Sequence, residues 1–174
     1  MNIPDSSWIP SVLAEYEQAL TRYAAHITGD LERAREVVQD TFLKLCRQKP
    51  AHVRDHLAQW LYTVCRNRAL DVRKKERRMT AISDAQLQLR AHPGPELSAA
   101  LEKEEQLADV LTILNTLPPN QQEVLRLKFQ GGLSYAEISR TTNLTAGNVG
   151  FLIHTGLKTI REKMRTQPAL RRVK

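Results

Sequence analysis

Three groups of residues in this sequence are spaced to do chemistry, and in each the chemistry is binding. Glu36, Gln39 and Asp40 stand at i, i+3 and i+4, so they share one face of a helix. An acidic-polar strip of this kind suits docking on a basic, partly polar protein surface, and equally an ordinary solvated helix face. From Arg66 to Arg78, seven basic residues stand against Asp71 and Glu76, a net +5. At helical spacing Arg66, Arg73 and Arg77 fall roughly along one side, with Asn67, Lys74 and Arg78 beside them. Arg and Lys hold phosphate and Asn contacts base edges, so this run fits a polyanion. It also fits a solvated helix end, where cations are favoured. The third group is Ser134-Tyr135-Ala136-Glu137, a capping box that opens a short helix with Ala136 and Ile138 facing inward. Thr142-Asn143-Leu144 follows as a tight turn, Asn143 tolerating the left-handed conformation. Thr145 then caps a helix carrying Val149, Leu152, Ile153, Leu157 and Ile160. Short helix, tight turn and longer helix form the helix-turn-helix pattern, whose second helix enters the DNA major groove. An ordinary helical hairpin has the same spacing.

Catalytic chemistry finds no comparable support. His52 and His56 are four apart, but no Cys or carboxylate pattern completes a metal site. The sequence offers no Gly-rich phosphate loop and no Ser–His–Asp constellation, so no catalytic residue, metal or cofactor is expected, and the chain is read as a non-enzyme. Trp60 lies within the apolar stripe of Leu57, Leu61 and Val64 and is expected in the core. Cys46 and Cys65 fall on apolar faces and are expected as small core residues.

Composition narrows the class. The chain has 174 residues, 41% hydrophobic and 26% charged, a globular balance rather than a disordered one. Two Cys exclude a disulfide-stapled fold. Lys and Arg number 26 against 19 Asp and Glu, a formal +7. The excess is clustered: besides the run at Arg66–Arg78, residues 158–174 carry seven basic residues against Glu162, while residues 79–104 carry a net −2. No apolar run approaches the ~18 residues needed to span a bilayer. The first residues lack the basic start and apolar core of a secretory signal. A cytoplasmic protein without membrane insertion is expected.

The elements that must position these groups are all helical. Val12, Leu13, Tyr16, Ala19, Leu20, Tyr23, Ala24 and Ile27 follow Pro10 at spacings of three and four. Gly29 stops that helix and Asp30 caps the next, which carries Leu31, Ala34, Val37, Val38, Thr41, Phe42, Leu45 and Cys46. Val38, Phe42 and Leu45 turn toward the bundle. Lys49-Pro50 ends this helix, and Asp55 caps a third that runs through Leu57, Trp60, Leu61, Val64, Cys65, Ala69 and Val72 into the basic run. Three such helices form a bundle. The stretch from Ala81 to Leu97, with Pro93-Gly94-Pro95, reads as a linker. A second unit begins near Leu97 with Leu101, Leu107, Val110, Leu111 and Leu114. Pro118-Pro119 breaks it, and Pro119 suits the first turn of a helix with Val124, Leu125, Leu127, Lys128 and Phe129. Gly131-Gly132 ends that helix.

Taken together, these residues resemble an extracytoplasmic-function (ECF) sigma factor of bacterial RNA polymerase. Glu36-Val37-Val38-Gln39-Asp40-Thr41-Phe42 resembles the signature of sigma region two. Trp60-Leu61-Tyr62-Thr63-Val64-Cys65-Arg66-Asn67-Arg68-Ala69-Leu70-Asp71 resembles the W-L-x-x-x-A-R-N-x-x-x-D segment that runs into Arg and Lys. Leu117-Pro118-Pro119 through Leu133-Ser134-Tyr135-Ala136-Glu137-Ile138 resembles the opening of region four. The likeness covers about residues 11–78 and 100–166.

The resemblance implies an all-α fold of two units: residues 8–78 as region two, 79–97 as linker, 98–166 as a helix-turn-helix region four, and 167–174 as a basic tail. It implies a non-catalytic subunit that binds core RNA polymerase at the beta-prime clamp helices and beta flap, melts the minus-ten element and reads the minus-thirty-five element of promoter DNA. An anti-sigma factor is the implied inhibitor. Carried onto this sequence, Glu36, Gln39 and Asp40 are the polymerase contacts. Arg66, Asn67, Arg73, Lys74 and Arg77 are the minus-ten contacts. Lys49, His52 and Arg54, in the loop before the third helix, are candidates to meet a flipped base. Thr145, Asn148, Gly150, Phe151, His154 and Thr155 are the minus-thirty-five contacts, with Arg140, Lys158 and Arg161 as candidate phosphate contacts. One departure stands out. Where the family usually has Gly-Thr-Val, a basic residue, Ser and further Arg, this chain reads Gly147-Asn148-Val149-Gly150-Phe151-Leu152-Ile153-His154-Thr155-Gly156-Leu157. None of the matching positions is a strong phosphate binder. Gly150 and Gly156 leave room for close approach to DNA or protein, and Phe151 fits a thymine methyl or a protein partner. Two other readings of the residues stay open at this point. A stand-alone helix-turn-helix regulator would footprint DNA without polymerase. A helical interaction protein would use its Phe151–Ile153 face.

Overall fold

A computed structural model describes residues 7–83 and 103–166, and the described residues form helices, turns and short connections only. They fall into two compact units, on either side of Pro93 and Gly94. The rest of the linker stretch after Ser83, Leu97 and Leu101, and the tail residues Arg171, Arg172 and Lys174 lie outside the described residues.

The N-terminal unit is a bundle of α1 (Ile9–Thr28), α2 (Leu31–Leu45) and α4 (Leu57–Ser83), each packed on the other two. Gly29 ends α1 at φ 75°, a left-handed position that glycine adopts without strain, and its N–H donates to Ala25 O. One residue on, Asp30 starts α2 by accepting from the Arg33 N–H at 2.8 Å. The two helices therefore reverse direction within two residues and can lie side by side. Their apolar stripes close on α4 through Leu20, Tyr23, Ala34, Val37, Leu45, Leu61, Tyr62, Cys65 and Ala69, all fully buried or nearly so. Tyr23 and Tyr62 meet edge to face, 5.2 Å between ring centroids, the arrangement that ring quadrupoles favour. Thr41, the one hydroxyl in the α2 core stripe, donates to Val37 O. Burial pushes the Cys65 thiol up to about 12, so it stays protonated and behaves as a small hydrophobe.

Several local expectations differ. Cys46 is exposed rather than core, because α2 stops at Leu45 and the chain turns outward there. Trp60 is only half-buried, at the margin of the bundle. Pro50 does more than end α2. It opens a short helix, α3 (Pro50–Val53), which passes into a 3-10 turn at Arg54–His56. Asp55 lies inside that turn and so is not the cap of α4. The buried Val53 pins this segment to the bundle. Helix α4 also runs to Ser83, several residues beyond the expected start of the linker.

The C-terminal unit holds α5 (Lys103–Asn115), α6 (Pro119–Phe129), α7 (Tyr135–Thr142) and α8 (Ala146–Thr166), with α8 packed on the other three. Leu117, Val124, Leu127, Leu133, Ile138, Val149 and Ile153 form the core. Pro119 stands at the first turn of α6 as expected. Gln122 and Arg126 are also buried on α6, and Phe129 is 64% exposed, so the apolar letters alone misplace this helix's inner face. The Gln122 side chain closes the α5–α6 corner, donating to Asn115 O and Leu117 O. Arg126 donates to Asn115 Oδ1 at 2.7 Å, at the carbonyl end of α5, where a cation is favoured. Gly156 is buried, and a Cβ there would lie 2.9 Å from Leu125 Cδ1, so it is a packing glycine between α8 and α6 rather than an approach point for a ligand.

Candidate nucleic-acid interface

Helix α4 sorts its charges by flank. Arg68 points to α2, where its Nε lies 2.7 Å from Asp40 Oδ2. Just over two turns further on, Glu76 accepts from Arg33 of α2 at 2.9 Å. Arg33 also reaches Glu36 at 3.3 Å. These pairs run antiparallel along the α2–α4 seam. They place Arg68 and Glu76 on one side of α4, and a second set of cations stands on the opposite flank. There Arg73, Lys74, Arg77 and Arg78 surround Leu70 and line an open depression. Of the expected minus-ten set, the structure brings Arg73, Lys74 and Arg77 together. Arg66 is half-buried and Asn67 exposed, on earlier turns of the same helix. Arg78, which helical spacing places beside them, and Leu70 join the site, although neither was among the minus-ten contacts carried over from the resemblance. Their signal was present in the sequence: 70, 73, 74, 77 and 78 follow the three-four rhythm of one helix flank.

The strip on α2 is exposed at Glu36 and Gln39 and half-buried at Asp40. Its charges are partly satisfied inside the chain, Glu36 by Arg33 and Asp40 by Arg68. Leu43 lies one turn beyond and is 53% exposed, so the strip carries an apolar end that the charge pattern did not reveal. In the segment before α4, Lys49, His52 and Arg54 are all exposed, with the Arg54 guanidinium 6.0 Å from the Trp8 ring centroid.

The C-terminal unit presents the expected helix-turn-helix geometry. Both halves of the capping box form: the Glu137 N–H donates to Ser134 Oγ, and the Ser134 N–H donates to Glu137 Oε2 at 2.8 Å. The bonds from the Ser134 N–H and hydroxyl hold the Glu137 carboxyl below its usual range. Asn143 takes φ 60° at the turn, and Ser139 Oγ donates to Leu144 O across it. The Asn148 N–H donates to Thr145 Oγ1 at 3.2 Å, so Thr145 is the cap of α8. Ile138 is buried, but Ala136 faces outward.

The expected α8 contacts divide into two kinds. Thr145, Asn148, Phe151 and His154 are exposed, Phe151 at 64%. Gly150 and Thr155 are half-buried and engaged within the unit. A Cβ on Gly150 would lie 3.6 Å from the Tyr135 ring. The Thr155 hydroxyl donates to Phe151 O and accepts from Gln121 Nε2. Lys128 sits 5.4 Å from the Tyr135 ring centroid, completing the contact between α6 and the start of α7. Arg140, Lys158 and Arg161 are exposed.

Comparison with known proteins agrees with this two-part arrangement. Residues 12–79 match the family described as Sigma-70 region 2, and residues 107–160 match Sigma-70, region 4. The ECF RNA polymerase sigma factor SigL of Mycobacterium tuberculosis is 29% identical over 84% of this chain and 83% of its own length. The ECF RNA polymerase sigma factor SigM of Bacillus subtilis is 25% identical over 80% of this chain and 85% of its own. The fold resembles the sigma factor RpoE of Bartonella quintana, solved in complex with the anti-sigma factor NepR, with a TM-score of 0.66 at 22% identity. That likeness covers 90% of this chain and 96% of the other. No described helix is long and apolar enough to cross a membrane. The two units, matched in order along one chain, carry the conclusion: the chain belongs to the sigma-70 family of RNA polymerase sigma factors, in its extracytoplasmic-function group.

Proposed function

We infer that this chain directs promoter-specific initiation as the specificity subunit of a bacterial RNA polymerase, with its work divided along the helices described. The α2 strip of Glu36, Gln39 and Asp40 docks on the core enzyme, at the beta-prime clamp helices, and the C-terminal unit engages the beta flap. The basic depression on α4 holds the opened minus-ten strand, with Arg73, Lys74 and Arg77 on phosphates and Asn67 toward a base edge. The exposed Lys49, His52 and Arg54 flank that strand. Helix α8 enters the major groove at the minus-thirty-five element, N-terminus first. Bond-making belongs to the polymerase, and this chain contributes only binding and strand separation, in the cytoplasm. An anti-sigma factor holds it inactive by covering these surfaces.

The observation that carries this reading is the sorting of charge on α4. Arg68 and Glu76 are spent on α2, while Arg73, Lys74, Arg77 and Arg78 converge around Leu70 on the opposite flank, in a depression that no carboxylate lines. A merely solvated helix end gives no reason for that separation. The direct test is co-elution of the purified chain with core RNA polymerase, followed by transcription from a promoter library. Stoichiometric co-elution and promoter-dependent transcripts are the expected result. A folded, inhibitor-free chain that fails to co-elute would remove the polymerase reading and leave a stand-alone DNA binder.

A further inference from the structure

Helix α8 is divided by charge along its length. Residues 146–157 contain no Lys, Arg, Asp or Glu, and every ionised side chain of the helix comes after them: Lys158, Arg161, Glu162, Lys163 and Arg165. Val149, Ile153, Gly156 and Ile160 hold the helix to its unit, so the opposite face is the one turned outward. On that face, ahead of the exposed His154, the uncharged half offers Asn148 and Phe151. Both are exposed, and Phe151 leaves most of its ring in water, at 64%. The neighbouring Gly150 has no side chain and backs onto the Tyr135 ring, and the Thr155 hydroxyl is engaged by Phe151 O and Gln121. The Asn148 N–H is taken by the Thr145 cap, and its side chain is exposed.

Major-groove chemistry assigns these side chains a meaning. Arg and Lys read guanine through O6 and N7, Asn reads adenine through N6 and N7, and an apolar side chain reads the thymine methyl. The half of α8 that would sit in the groove has the adenine reader and an apolar surface, and it lacks the guanine readers. Residues three apart on a helix are separated by about 4.5 Å along its axis, close to the ~3.4 Å step between stacked base pairs. Asn148 and Phe151 therefore address neighbouring pairs. We propose that Asn148 and Phe151 are the specificity-determining residues of the C-terminal unit and that they read adjacent A·T pairs, Asn148 on adenine and Phe151 on a thymine methyl. Lys158 and Arg161, two turns later, supply phosphate contacts that carry no sequence information. The proposal rests on the reading of α8 as the groove helix of a polymerase-bound factor.

The test is transcription by the reconstituted holoenzyme from a promoter library randomised over both upstream windows, with the transcripts sequenced. Wild type is expected to enrich adjacent A·T pairs in the upstream window. Asn148→Ala should relax the adenine by about fivefold or more and leave its neighbour selected. Phe151→Ala should relax the neighbouring thymine and leave the adenine. Both side chains are exposed, so both variants should keep the wild-type circular dichroism. Enrichment of guanine in that window, or unchanged preferences in both variants, would overturn the proposal while leaving the polymerase reading intact. So would a Phe151→Ala variant that loses affinity for core polymerase with its base preferences unaltered. Absence of any promoter-dependent transcript would overturn both.

Discussion

Arg68 Nε lies 2.7 Å from Asp40 Oδ2, which ties the basic helix α4 to the acidic strip of α2. The pair is about two-fifths exposed on each side, so its contribution to stability is small, about 0.2–1 kcal/mol. Its larger effect is on geometry. It turns Arg68 toward the Asp40 carboxylate and away from the flank that carries Arg73, Lys74 and Arg77.

That geometry bears on polymerase docking. Replacing Gln39 and Asp40 together by Ala should weaken binding to core polymerase by about tenfold or more, ~1.4 kcal/mol. Helicity should stay at the wild-type level. Arg68→Ala should weaken binding less, since it frees Asp40 without removing it. Equal affinity for the double variant and wild type, measured by fluorescence titration, would take this face out of the docking site.

The opposite flank of α4 makes a salt-dependent prediction. Arg73→Ala with Lys74→Ala removes two cations from the depression around Leu70. Open-complex formation should fall. The slope of log affinity against log salt should flatten by about 1.4, because a single strand releases ~0.7 ion per phosphate neutralised. Permanganate reactivity of the melted promoter reads the first effect directly. Wild-type reactivity and slope would mean that this flank does not touch the strand.

Much of this arrangement was legible in the residues, for identifiable reasons. Gly29, Asp30, Ser134, Glu137 and Asn143 act through local backbone chemistry, and each does in the structure what its type and neighbours require. The basic run of α4 was visible as a cluster, but not its partition. Whether Arg68 joins the other cations or pairs with Asp40 depends on where α2 lies, and that is a tertiary fact. The same applies to Gln122 and Arg126. Their polar letters indicate the surface, yet Asn115 at the end of α5 and Leu117 in the turn after it supply acceptors, and burial follows. Gly156 was open to two readings because a sequence does not say which face of a helix meets Leu125.

The capping box predicts a pH effect with a defined sign. Hydrogen bonds from the Ser134 N–H and hydroxyl hold the Glu137 carboxyl below its ordinary value of 4.5. A carboxylate with a depressed folded-state pKa stabilises the fold fully above its unfolded value, and that contribution is lost as pH falls through the folded value. Stability of the C-terminal unit should therefore drop on acidification below about pH 4.5, and Glu137→Gln should remove part of that drop. Ser134→Ala should cost about 1 kcal/mol at neutral pH. Thermal midpoints of the full chain between about pH 3 and pH 6 would show it. A Gln variant with the wild-type pH profile would mean that the carboxylate charge contributes nothing.

The two inner glycines of α8 should respond to alanine with opposite signs. At Gly150 a Cβ would meet Tyr135 at 3.6 Å, an ordinary contact, so Gly150→Ala gains helix propensity with little penalty. It should stabilise the C-terminal unit by about 0.5–1 kcal/mol. At Gly156 a Cβ would lie 2.9 Å from Leu125 Cδ1, and Leu125 is itself buried in the core. Overpacking there costs about 1–3 kcal/mol, which outweighs the propensity gain. Thermal or denaturant unfolding should place Gly150→Ala above wild type and Gly156→Ala below it. A gain at both positions would show that Leu125 rotates aside freely and that the α6–α8 contact is looser than its geometry implies. Promoter selection should also separate them. Gly156 faces the core, so its variant should keep the wild-type base preferences wherever it stays folded, whereas Gly150 stands next to Phe151, and a methyl there narrows the gap to Tyr135 behind the reading face.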